Sequence, residues 1–472
     1  MATSSPKTAL AAVLTAALVA APFAALPAHA ADPVDLNLLS INDFHGRIDA
    51  NTVKFAGTVE QLRAQNPEGT LLTSAGDNIG ASVFASSTQQ DQPTIDVLNA
   101  LELATTAVGN HEFDRGFADL TDRVAPASKY PQLGANVYRA GTTEPALPEY
   151  ELVPVNGVTV GVVGVVTEET ASLVSPGGIA DLEFGDAVAA VNRVAAQLTD
   201  GAGDEADVIM ASYHEGANTN ADLASAMAAS AVFNRIVNET SPDVDVIFNG
   251  HTHQAYSFDA PVPGVDGKTR PVVQTGSYGA NIGQVQLSYD AAADEVLAHT
   301  AAVVPRTGTA DGDLVSAYPR VAAVSSIVQA ALENAEEVGA QPVGSVTGDI
   351  TTAFLPDGPD ADTAPDRDDR GSESTLGNLV ADSLLASLAS TERGGAEIGV
   401  VNPGGLRNEL YYAPDGTVTY AEANGVLPFL NNLWTTTLTG AQVKTLLEQQ
   451  WQRTAAGEVP SRAYLQLGLS KN

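Results

Sequence analysis

From residue 36 to about residue 288 the chain alternates short apolar runs with polar or alanine-rich stretches. The short runs are typical of buried strands, and the longer stretches between them have the spacing of amphipathic helices. Strands that alternate with helices in this way predict an α/β domain with layered sheets and helices.

Five of the apolar runs share one feature, because ionisable or amide side chains follow each of them. The runs and the polar residues after them are 36–41 with Asn42, Asp43 and His45; 70–74 with Asp77; 107–108 with Asn110, His111 and Glu112; 208–213 with His214; and 244–248 with His251 and His253. Ligands of open α/β sheets bind at the carboxyl ends of the strands. We therefore expect the five motifs to converge in space.

A second region begins after a long amphipathic helix. Apolar residues recur there at spacings of three and four from Val321 to Val338, and Gly339 and Pro342 mark the end. Residues 356–371 are rich in Asp, Pro and Gly and predict an exposed loop, and another amphipathic helix is predicted from Ser374 to about Leu388. These boundaries predict a first domain at 31–310, a connecting helix at 311–342 and a second domain at 343–472.

The first thirty residues have the features of a signal peptide. They carry one charge, Lys7, followed by an alanine- and leucine-rich run and the small-residue site Ala28-His29-Ala30. We expect cleavage before Ala31, with the mature chain secreted or held in the cell envelope. A transmembrane interpretation would need a longer apolar core, and no later stretch is apolar for long enough to span a membrane.

Charge and cysteine content narrow the chemistry. The chain has no cysteine, so any metal would have to be bound by His, Asp, Asn or Glu. It has 22 basic and 57 acidic residues, and its net charge of -35 becomes -36 when Lys7 leaves with the signal peptide. Because binding to nucleic acid polymers depends on Lys and Arg, we do not expect such partners. A small anionic substrate would need a local positive charge, which bound metal ions could supply.

The histidines concentrate in the strand-end motifs. Of the seven, His29 leaves with the signal peptide and His299 lies in a strand-like stretch, whereas the other five follow the apolar runs. Mixed His, Asp and Asn ligands suit Zn, Mn, Co, Fe or Ni, and a carboxylate such as Asp77 can bridge two ions. Two ions about 3.5–4 Å apart clamp a phosphoryl group, so the pattern favours hydrolysis of phosphate esters. The alternative is that each histidine satisfies a hydrogen bond in its own loop, which accounts for one histidine more easily than for five.

The motifs also resemble those of a known family. Asn42-Asp43-Phe44-His45-Gly46-Arg47, Gly76-Asp77, Gly109-Asn110-His111-Glu112-Phe113-Asp114 and Gly250-His251-Thr252-His253 are similar to the motifs of the secreted 5'-nucleotidase, UDP-sugar hydrolase and 2',3'-cyclic-nucleotide phosphodiesterase family, whose catalytic domain is calcineurin-like. The resemblance implies a layered α/β fold, in which a four-layer metallophosphoesterase β-sandwich flanked by helices is joined by a helix to a smaller mixed α/β substrate-binding domain. It covers nearly all of the mature chain.

The resemblance also implies a role for each motif. One metal ion would be held by Asp43, His45 and His253, and a second by Asn110, His214 and His251, with Asp77 shared; His111 and Asp114 would form a catalytic dyad. The spacing of three residues lets a carboxylate orient the imidazole, which can then stabilise charge on phosphoryl oxygens. Arg47 could reach a phosphate oxygen. The alternatives are a structural role for His111 and a surface position for Arg47.

In the second region, several residues resemble the family's substrate-binding segments. They are Arg370, Asn402, Gly404, Gly405, Arg407 and Phe429. Two arginines can hold a carboxylate or phosphate, and adjacent glycines let the backbone approach a ligand. Phe429 falls where the family stacks an aromatic ring on the nucleobase. A hairpin turn at the glycines and a core position for Phe429 are the alternatives.

One departure from the family concerns the end of the chain. The sequence stops at Asn472 in a strand-like stretch, whereas family members continue through a segment with a second base-stacking aromatic residue. The sequence is therefore expected to be a fragment or a truncated product. Its second domain is expected to be incomplete, with an exposed sheet edge.

Together these observations predict an enzyme that hydrolyses nucleoside 5'-phosphates by in-line attack of a metal-activated hydroxide. The partner would be a small nucleotide rather than a nucleic acid polymer. A 2',3'-cyclic nucleotide, a UDP-sugar or NAD on the same centre is the nearest alternative. A non-catalytic surface binding protein and a secreted nuclease are more distant, because every ligand position has a competent residue and the net charge is strongly negative.

Overall fold

A computed structural model gives the fold of the chain and describes Met1 and residues 33–355, 369–429, 431–451 and 465–469. The predicted signal peptide, apart from Met1, and residues 356–368 of the predicted loop lie outside these ranges. Within them the strands are β1 Val34–Ile41, β2 Thr70–Ser74, β3 Thr105–Ala107, β4 Gln132–Leu133, β5 Val137–Arg139, β6 Tyr150–Val155, β7 Val158–Val166, β8 Leu182–Phe184, β9 Val208–His214, β10 Val246–Asn249, β11 Ala255–Pro261, β12 Thr269–Thr275, β13 Asn281–Asp290, β14 Glu295–Pro305, β15 Pro342–Ser345, β16 Ile398–Val401, β17 Thr417–Thr419 and β18 Gln466–Leu469.

Helices connect most of these strands. The α-helices are α1 Thr52–Arg63, α2 Phe84–Ser87, α3 Gln92–Ala100, α4 Phe117–Asp119, α5 Ala125–Ala127, α6 Thr170–Leu173, α7 Ala187–Gln197, α8 Leu223–Ala229, α9 Ala231–Glu239, α10 Asp311–Ala317, α11 Pro319–Gly339, α12 Thr375–Leu388, α13 Tyr420–Val426 and α14 Gly440–Gln449. Short 3-10 turns lie at His111–Phe113, Pro176–Gly178, Thr391–Arg393 and Pro403–Gly405, and a π-helical turn at Leu120–Val124. None of the helices in the described ranges is long and apolar enough to cross a membrane.

Two six-stranded sheets form the centre of the molecule. The first has the order β14-β13-β1-β2-β3-β4, and the second has the order β11-β12-β10-β9-β7-β6. β1, β2, β3 and β4 run parallel in the first sheet, as do β12, β10, β9 and β7 in the second. Parallel strands expose their carboxyl ends at one edge of a sheet, and each sheet therefore collects the loops after its strands at a single edge.

The inner strands are buried on both faces because the two sheets pack against each other and each sheet is covered by helices. On β1, Leu36 and Leu38 pack between the sheets, whereas Leu39 and Ile41 face the helices of the first sheet. Alternate residues of a strand point to opposite faces, which explains why these runs are continuously apolar.

Helices form the two outer layers. α1, α3 and α11 cover the first sheet, and α7, α8 and α9 cover the second. The order helix, sheet, sheet, helix is the four-layer α/β arrangement that the sequence predicts, and the fold class is confirmed.

The helix predicted to begin near Val321 is α11, and it ends at Gly339 as expected. Its apolar side is buried against α1 and α3, so this helix is part of the first core as well as the route to the second region. In the second region, α11 contacts α13. The Phe84 ring of α2 also reaches α13, where its centroid lies 5.5 Å from that of the Tyr420 ring.

The second region has a smaller core. It contains two-stranded sheets β15-β17 and β16-β18 beside α12 and α13, with Leu376, Val380 and Leu406 among its buried residues. The predicted helix from Ser374 is α12, and the Ser374 hydroxyl accepts a hydrogen bond from Gly377 N as an N-cap.

Candidate metal centre

The loops after five strands meet at one place between the two sheets. β1, β2 and β3 contribute from the first sheet and β9 and β10 from the second, and their carboxyl ends carry the side chains that the sequence singles out. Three groups of these side chains place their ligand atoms within 4.8 Å of one another: Asp43 with His45 and His253, His45 with Asp77 and His111, and Asp77 with His214 and His251.

The first group joins the loop after β1 to the loop after β10. His253 Nε2 lies 3.3 Å from Asp43 Oδ1 and 3.1 Å from His45 Nε2. Asp43 and His45 are buried, whereas the His253 side chain is 38 % exposed. These three donors surround one point at the mouth of the site.

The group of Asp77, His214 and His251 lies deeper. His214 Nε2 is 3.1 Å from Asp77 Oδ2 and 3.2 Å from Asn110 Oδ1, and the His251 ring lies 5.2 Å from the His214 ring. His45 Nε2 is 3.8 Å from the same Asp77 oxygen. The Asp77 carboxylate therefore lies between the two groups, in the position that a shared ligand requires.

The backbone is strained where the ligands are presented. Asp43, His45, Asp77, His251 and His253 all have positive φ, between 48° and 71°. Residues other than glycine rarely adopt this backbone conformation, and it persists only where the surroundings impose it. Five such residues lie in three loops, which indicates that the surrounding fold imposes this strained backbone and thereby directs the donors inward.

Two glycines allow the loops to approach so closely. A Cβ at Gly109 would lie 2.1 Å from Asp77 Oδ1, and one at Gly250 would lie 2.8 Å from Ala75 O. Any larger side chain at either position would force the ligand loops apart.

Two histidines are oriented through their other ring nitrogen. His45 Nδ1 donates to Gly80 O at 2.9 Å, and His214 Nδ1 donates to Ala75 O at 2.8 Å. Both rings thereby turn Nε2 toward the shared carboxylate, as backbone carbonyls commonly orient metal-binding imidazoles.

The donor set fits divalent cations. His251 Nδ1 is buried without a hydrogen-bond partner among the described residues, and His45 and His253 bring two ring nitrogens within 3.1 Å of each other. Buried polar atoms in proteins normally have partners, so both features are accounted for if cations lie between these groups. Imidazole, amide and carboxylate donors suit Zn, Mn, Co, Fe or Ni.

The buried carboxylates and imidazoles of the site shift one another's pKa. Burial disfavours the protonated His214 ring, but Asp77 outweighs it and raises the pKa of His214 to about 10. Burial likewise opposes ionisation of Asp77, yet His214 and His111 hold its pKa well below the usual range. In contrast, burial lowers the pKa of His45 and of His251, which favours the neutral, metal-binding form of both rings.

His111 and Asp114 form a hydrogen-bonded pair beside the centre. His111 Nδ1 lies 2.8 Å from Asp114 Oδ2, and its backbone N donates to Asp77 Oδ1 at 2.8 Å. Burial lowers the pKa of His111, but Asp77 and Asp114 outweigh it and raise the value to about 9. A protonated imidazole is thus held beside the His45 ring, with 5.1 Å between the two ring centroids.

Glu112 has a position that the sequence does not predict. Its buried carboxylate accepts hydrogen bonds from the backbone N of Asp77 and Asn78, each at 2.9 Å, and from Gly109 N at 2.6 Å. Burial, followed by the Asp77 charge, raises the pKa of Glu112 to about 7. One side chain therefore ties the loop of Asp77 to the loop of Asn110. Sequence gives its motif but not its partners.

Arg47 and Tyr278 lie at the rim. The Arg47 guanidinium carbon is 3.7 Å from the centroid of the Tyr278 ring, which in turn lies 5.8 Å from the His45 ring and 5.6 Å from the His253 ring. Arg47 is among the residues singled out from the sequence. Tyr278 is not, because it follows a different strand and has no motif of its own.

The residues predicted in the second region form a second group. Arg407 Nη1 donates to Gly404 O at 3.2 Å, and Asn402 Oδ1 accepts from Gly404 N at 3.0 Å. A Cβ at Gly404 would lie 3.2 Å from Arg370 Nη1, and Gly405 faces open space. The Arg407 guanidinium lies 5.9 Å from the Phe429 ring, which is 45 % exposed and so does not belong to the core.

Comparison with known protein families gives a match for each of the two regions. The sequence profile of calcineurin-like phosphoesterases matches residues 36–255, and that of the 5'-nucleotidase C-terminal domain matches residues 343–470. These matches cover the five strand-end motifs and the second group of residues, respectively.

Among curated relatives, the chain is 29% identical to endonuclease YhcR of Bacillus subtilis over 88% of its own length and 33% of that protein. It is 29% identical to cell wall protein Lmo0130 of Listeria monocytogenes, over 91% of this chain and 58% of that one. A 5'-nucleotidase of Vibrio vulnificus is 27% identical over 98% of this chain and 83% of its own. The chain thus spans less than two thirds of the first two of these relatives.

Solved structures agree on the fold. A putative 5'-nucleotidase from Staphylococcus aureus superimposes with a TM-score of 0.67 at 20% identity, over 92% of this chain and 82% of that chain. Haemophilus influenzae NAD nucleotidase superimposes with a TM-score of 0.58 at 19% identity, over 93% and 82% respectively. At these identities the likeness establishes the fold alone.

Proposed function

We propose that this chain, which belongs to the calcineurin-like phosphoesterases with a 5'-nucleotidase C-terminal domain, is a metal-dependent hydrolase of nucleoside 5'-phosphates. The observation that carries the proposal is the convergence of nitrogen and oxygen donors from five strand ends, with Asp77 between two groups of them. The divisions at residues 31–310, 311–342 and 343–472 are proposed as its domains.

Asp43, His45 and His253 would hold one divalent ion, Asn110, His214 and His251 a second, and Asp77 both. When bound, two such ions supply Lewis acidity, which polarises phosphoryl oxygens and makes water a stronger nucleophile. The buried loops contribute by keeping these donors in place, so little reorganisation accompanies the reaction.

His111 would act as the charge-stabilising group of the chain itself. Asp114 fixes its Nδ1, so the remaining proton lies on Nε2, directed away from the carboxylate. With a pKa of about 9 the ring is protonated at neutral pH, and its Nε2–H can donate to an oxygen that gains negative charge. Asp114 is a positioning residue in this scheme.

Arg47 would contact a phosphoryl oxygen from the rim. Within the described residues its guanidinium has no carboxylate partner within 4.0 Å, although the chain has far more acidic than basic residues. A planar guanidinium matches the geometry of phosphate, and so this charge is available to the substrate.

The second group of residues would hold the nucleoside. Arg370 and Arg407 offer charge, Asn402 and the Gly404–Gly405 turn offer backbone access, and the exposed Phe429 ring offers a stacking surface for a base. The relative named 5'-nucleotidase supports a nucleotide as the substrate class. A 2',3'-cyclic nucleotide, a UDP-sugar or NAD would present the same phosphoryl group to the centre.

Nucleic acid is the second substrate class to test, because one relative is named an endonuclease. The net charge of -35 opposes binding of a long polyanion, and a nucleotide therefore remains the proposed substrate. We also propose that the chain is exported, since its first thirty residues have the composition of a signal peptide and one relative is named a cell wall protein.

The test is hydrolysis of a panel of substrates by metal-stripped protein, before and after addition of Mn, Zn, Co or Mg, with released phosphate measured for the monophosphates and chromatography of the products for the other substrates. The panel contains nucleoside 5'-monophosphates, a 2',3'-cyclic nucleotide, a UDP-sugar, NAD and single-stranded DNA. We expect hydrolysis of the monophosphates only after a metal is added. Equal hydrolysis without metal would contradict the mechanism, and cleavage of DNA alone would contradict the substrate class.

A further inference from the structure

Tyr278 occupies a turn where its residue type is unfavourable. The turn joins β12 to β13, and Tyr278 has a φ of 61° while its side chain is 39 % exposed. Glycine and asparagine adopt this backbone readily, whereas a bulky aromatic residue does not. Such outliers persist when their surroundings impose them, and they concentrate at functional sites.

The surroundings of Tyr278 include a proposed metal ligand. Tyr278 N donates to Asp43 O at 2.7 Å. The neighbouring Asn42 side chain accepts from Thr275 N at 2.8 Å and donates to Gly276 O at 2.7 Å and to Asp43 Oδ2 at 2.6 Å. The turn of Tyr278 and the loop of Asp43 are therefore one hydrogen-bonded unit.

This unit fixes where the Tyr278 ring lies. The ring meets the edges of His45 and His253 at 5.8 Å and 5.6 Å, so it forms one wall of the site. The Arg47 guanidinium carbon lies over the ring, 3.7 Å from its centroid, which is the distance of a close cation–π contact.

Arg47 depends on that ring for its position. Its Nε is buried without a hydrogen-bond partner, and no carboxylate of the described residues lies within 4.0 Å of its guanidinium. Some other arginines of the first domain differ in this respect, since Arg123 forms an ion pair with Asp119 and Arg235 forms one with Asp186. The ring face of Tyr278 is thus the main contact that restrains this cation.

We propose that Tyr278 is a positioning residue, which holds the Arg47 guanidinium at the rim of the metal centre as a binding group for the phosphoryl oxygens of the substrate and for the released phosphate. The proposal rests on the proposed function, since it names a further determinant at the same site. Tyr278 acts through Arg47, so its contribution should vanish when Arg47 is removed.

The experiment is a double-mutant cycle with inorganic phosphate as the probe. Tyr278→Asn removes the ring but suits the backbone, Tyr278→Phe keeps the ring, and Arg47→Ala removes the cation. Tyr412→Asn is the control, since it makes the same change at an exposed tyrosine of the second region. Phosphate affinity is measured by calorimetry on the isolated protein, the metal content by mass spectrometry, and KM and kcat with a nucleoside monophosphate.

We expect Tyr278→Asn to weaken phosphate binding and raise KM roughly fivefold, with a smaller change in kcat. Tyr278→Phe should restore wild-type phosphate binding, and metal content should stay constant throughout. In the Arg47→Ala background, Tyr278→Asn should have no additional effect on phosphate binding.

An equal effect of Tyr278→Asn with and without Arg47 would overturn the inference, as would unchanged phosphate affinity in Tyr278→Asn or a wild-type protein that binds no phosphate. The phosphate measurement separates this inference from the proposed function. If Tyr278→Asn hydrolyses nucleotides and binds phosphate as tightly as the wild type, the inference is overturned but the proposed function is not. Phosphate binding that depends on Tyr278 through Arg47 supports the inference even in a protein that turns over no nucleotide.

Discussion

The metal centre and the second group of residues differ in how the fold holds them. The donors of the centre follow strands of two packed six-stranded sheets, and Asp43, Asp77 and His214 are buried. The second group lies on short elements around a small core, and its proposed stacking ring, Phe429, is 45 % exposed. Backbone strain is concentrated in the metal centre, where five donors have positive φ.

Under the proposed function, this difference would assign the chemical step to the centre and substrate choice to the second group. A centre whose donors are fixed by backbone can serve any phosphate ester that reaches it. An exposed group of side chains can change its substrate without disturbing the strands. Substitutions in the centre are therefore expected to lower kcat, and substitutions in the second group are expected to raise KM.

The largest effect is expected from Asp77→Ala. This carboxylate lies between both groups of donors, so its loss should reduce hydrolysis on the order of a thousandfold or more, together with metal content. Initial rates and mass spectrometry of the purified protein measure both. Asp122→Ala, an exposed carboxylate, is the control and should behave as wild type. Retained activity in Asp77→Ala would break the distinction between the two regions.

His111→Gln should lower kcat roughly a hundred- to a thousandfold while metal content stays at the wild-type level. The reason is that the ring is proposed to stabilise charge on the substrate rather than to bind a cation. If His111→Gln loses metal instead, His111 is a ligand, a role that its place beside His45 and Asp77 would also allow.

Glu112→Gln tests how far the centre depends on its backbone. The new amide would direct a donor at the N–H groups of Asp77, Asn78 or Gly109, so both loops should loosen. We expect metal affinity to fall roughly tenfold to a hundredfold, measured by titration of stripped protein. Wild-type affinity would show that the two loops hold their positions without this carboxylate.

The smallest effect among these four substitutions is expected from Phe429→Ala. Loss of a stacking surface should raise KM for nucleoside monophosphates roughly tenfold and leave hydrolysis of a small phosphodiester unchanged. Steady-state kinetics with both substrates decide the point. An equal loss of activity with both substrates would mean that Phe429 acts in the chemical step, and it would remove the contrast between the two regions.

The sequence predicts the donor residues of the centre better than it predicts the residues that hold the donor loops in place. Asp43, His214 and the other donors follow apolar runs, and strand ends of one sheet meet at one edge, so convergence within each sheet can be inferred from the chain. The meeting of the two edges depends on how the two sheets pack. Asn42, Glu112 and Tyr278 act through contacts with residues far away in sequence, such as Asn42 with Gly276. A side chain that bonds to backbone atoms of a distant loop leaves no pattern of spacing. For the same reason the roles proposed for Arg370, Arg407 and Phe429 remain predictions.

The number of divalent ions that the stripped protein binds tests the central claim most directly. Calorimetric titration with Mn or Zn should give two ions per chain for the wild type and fewer for Asp77→Ala. A wild-type chain that binds no ion, or that binds the same number of ions after Asp77 is removed, would contradict a shared two-metal centre at these strand ends.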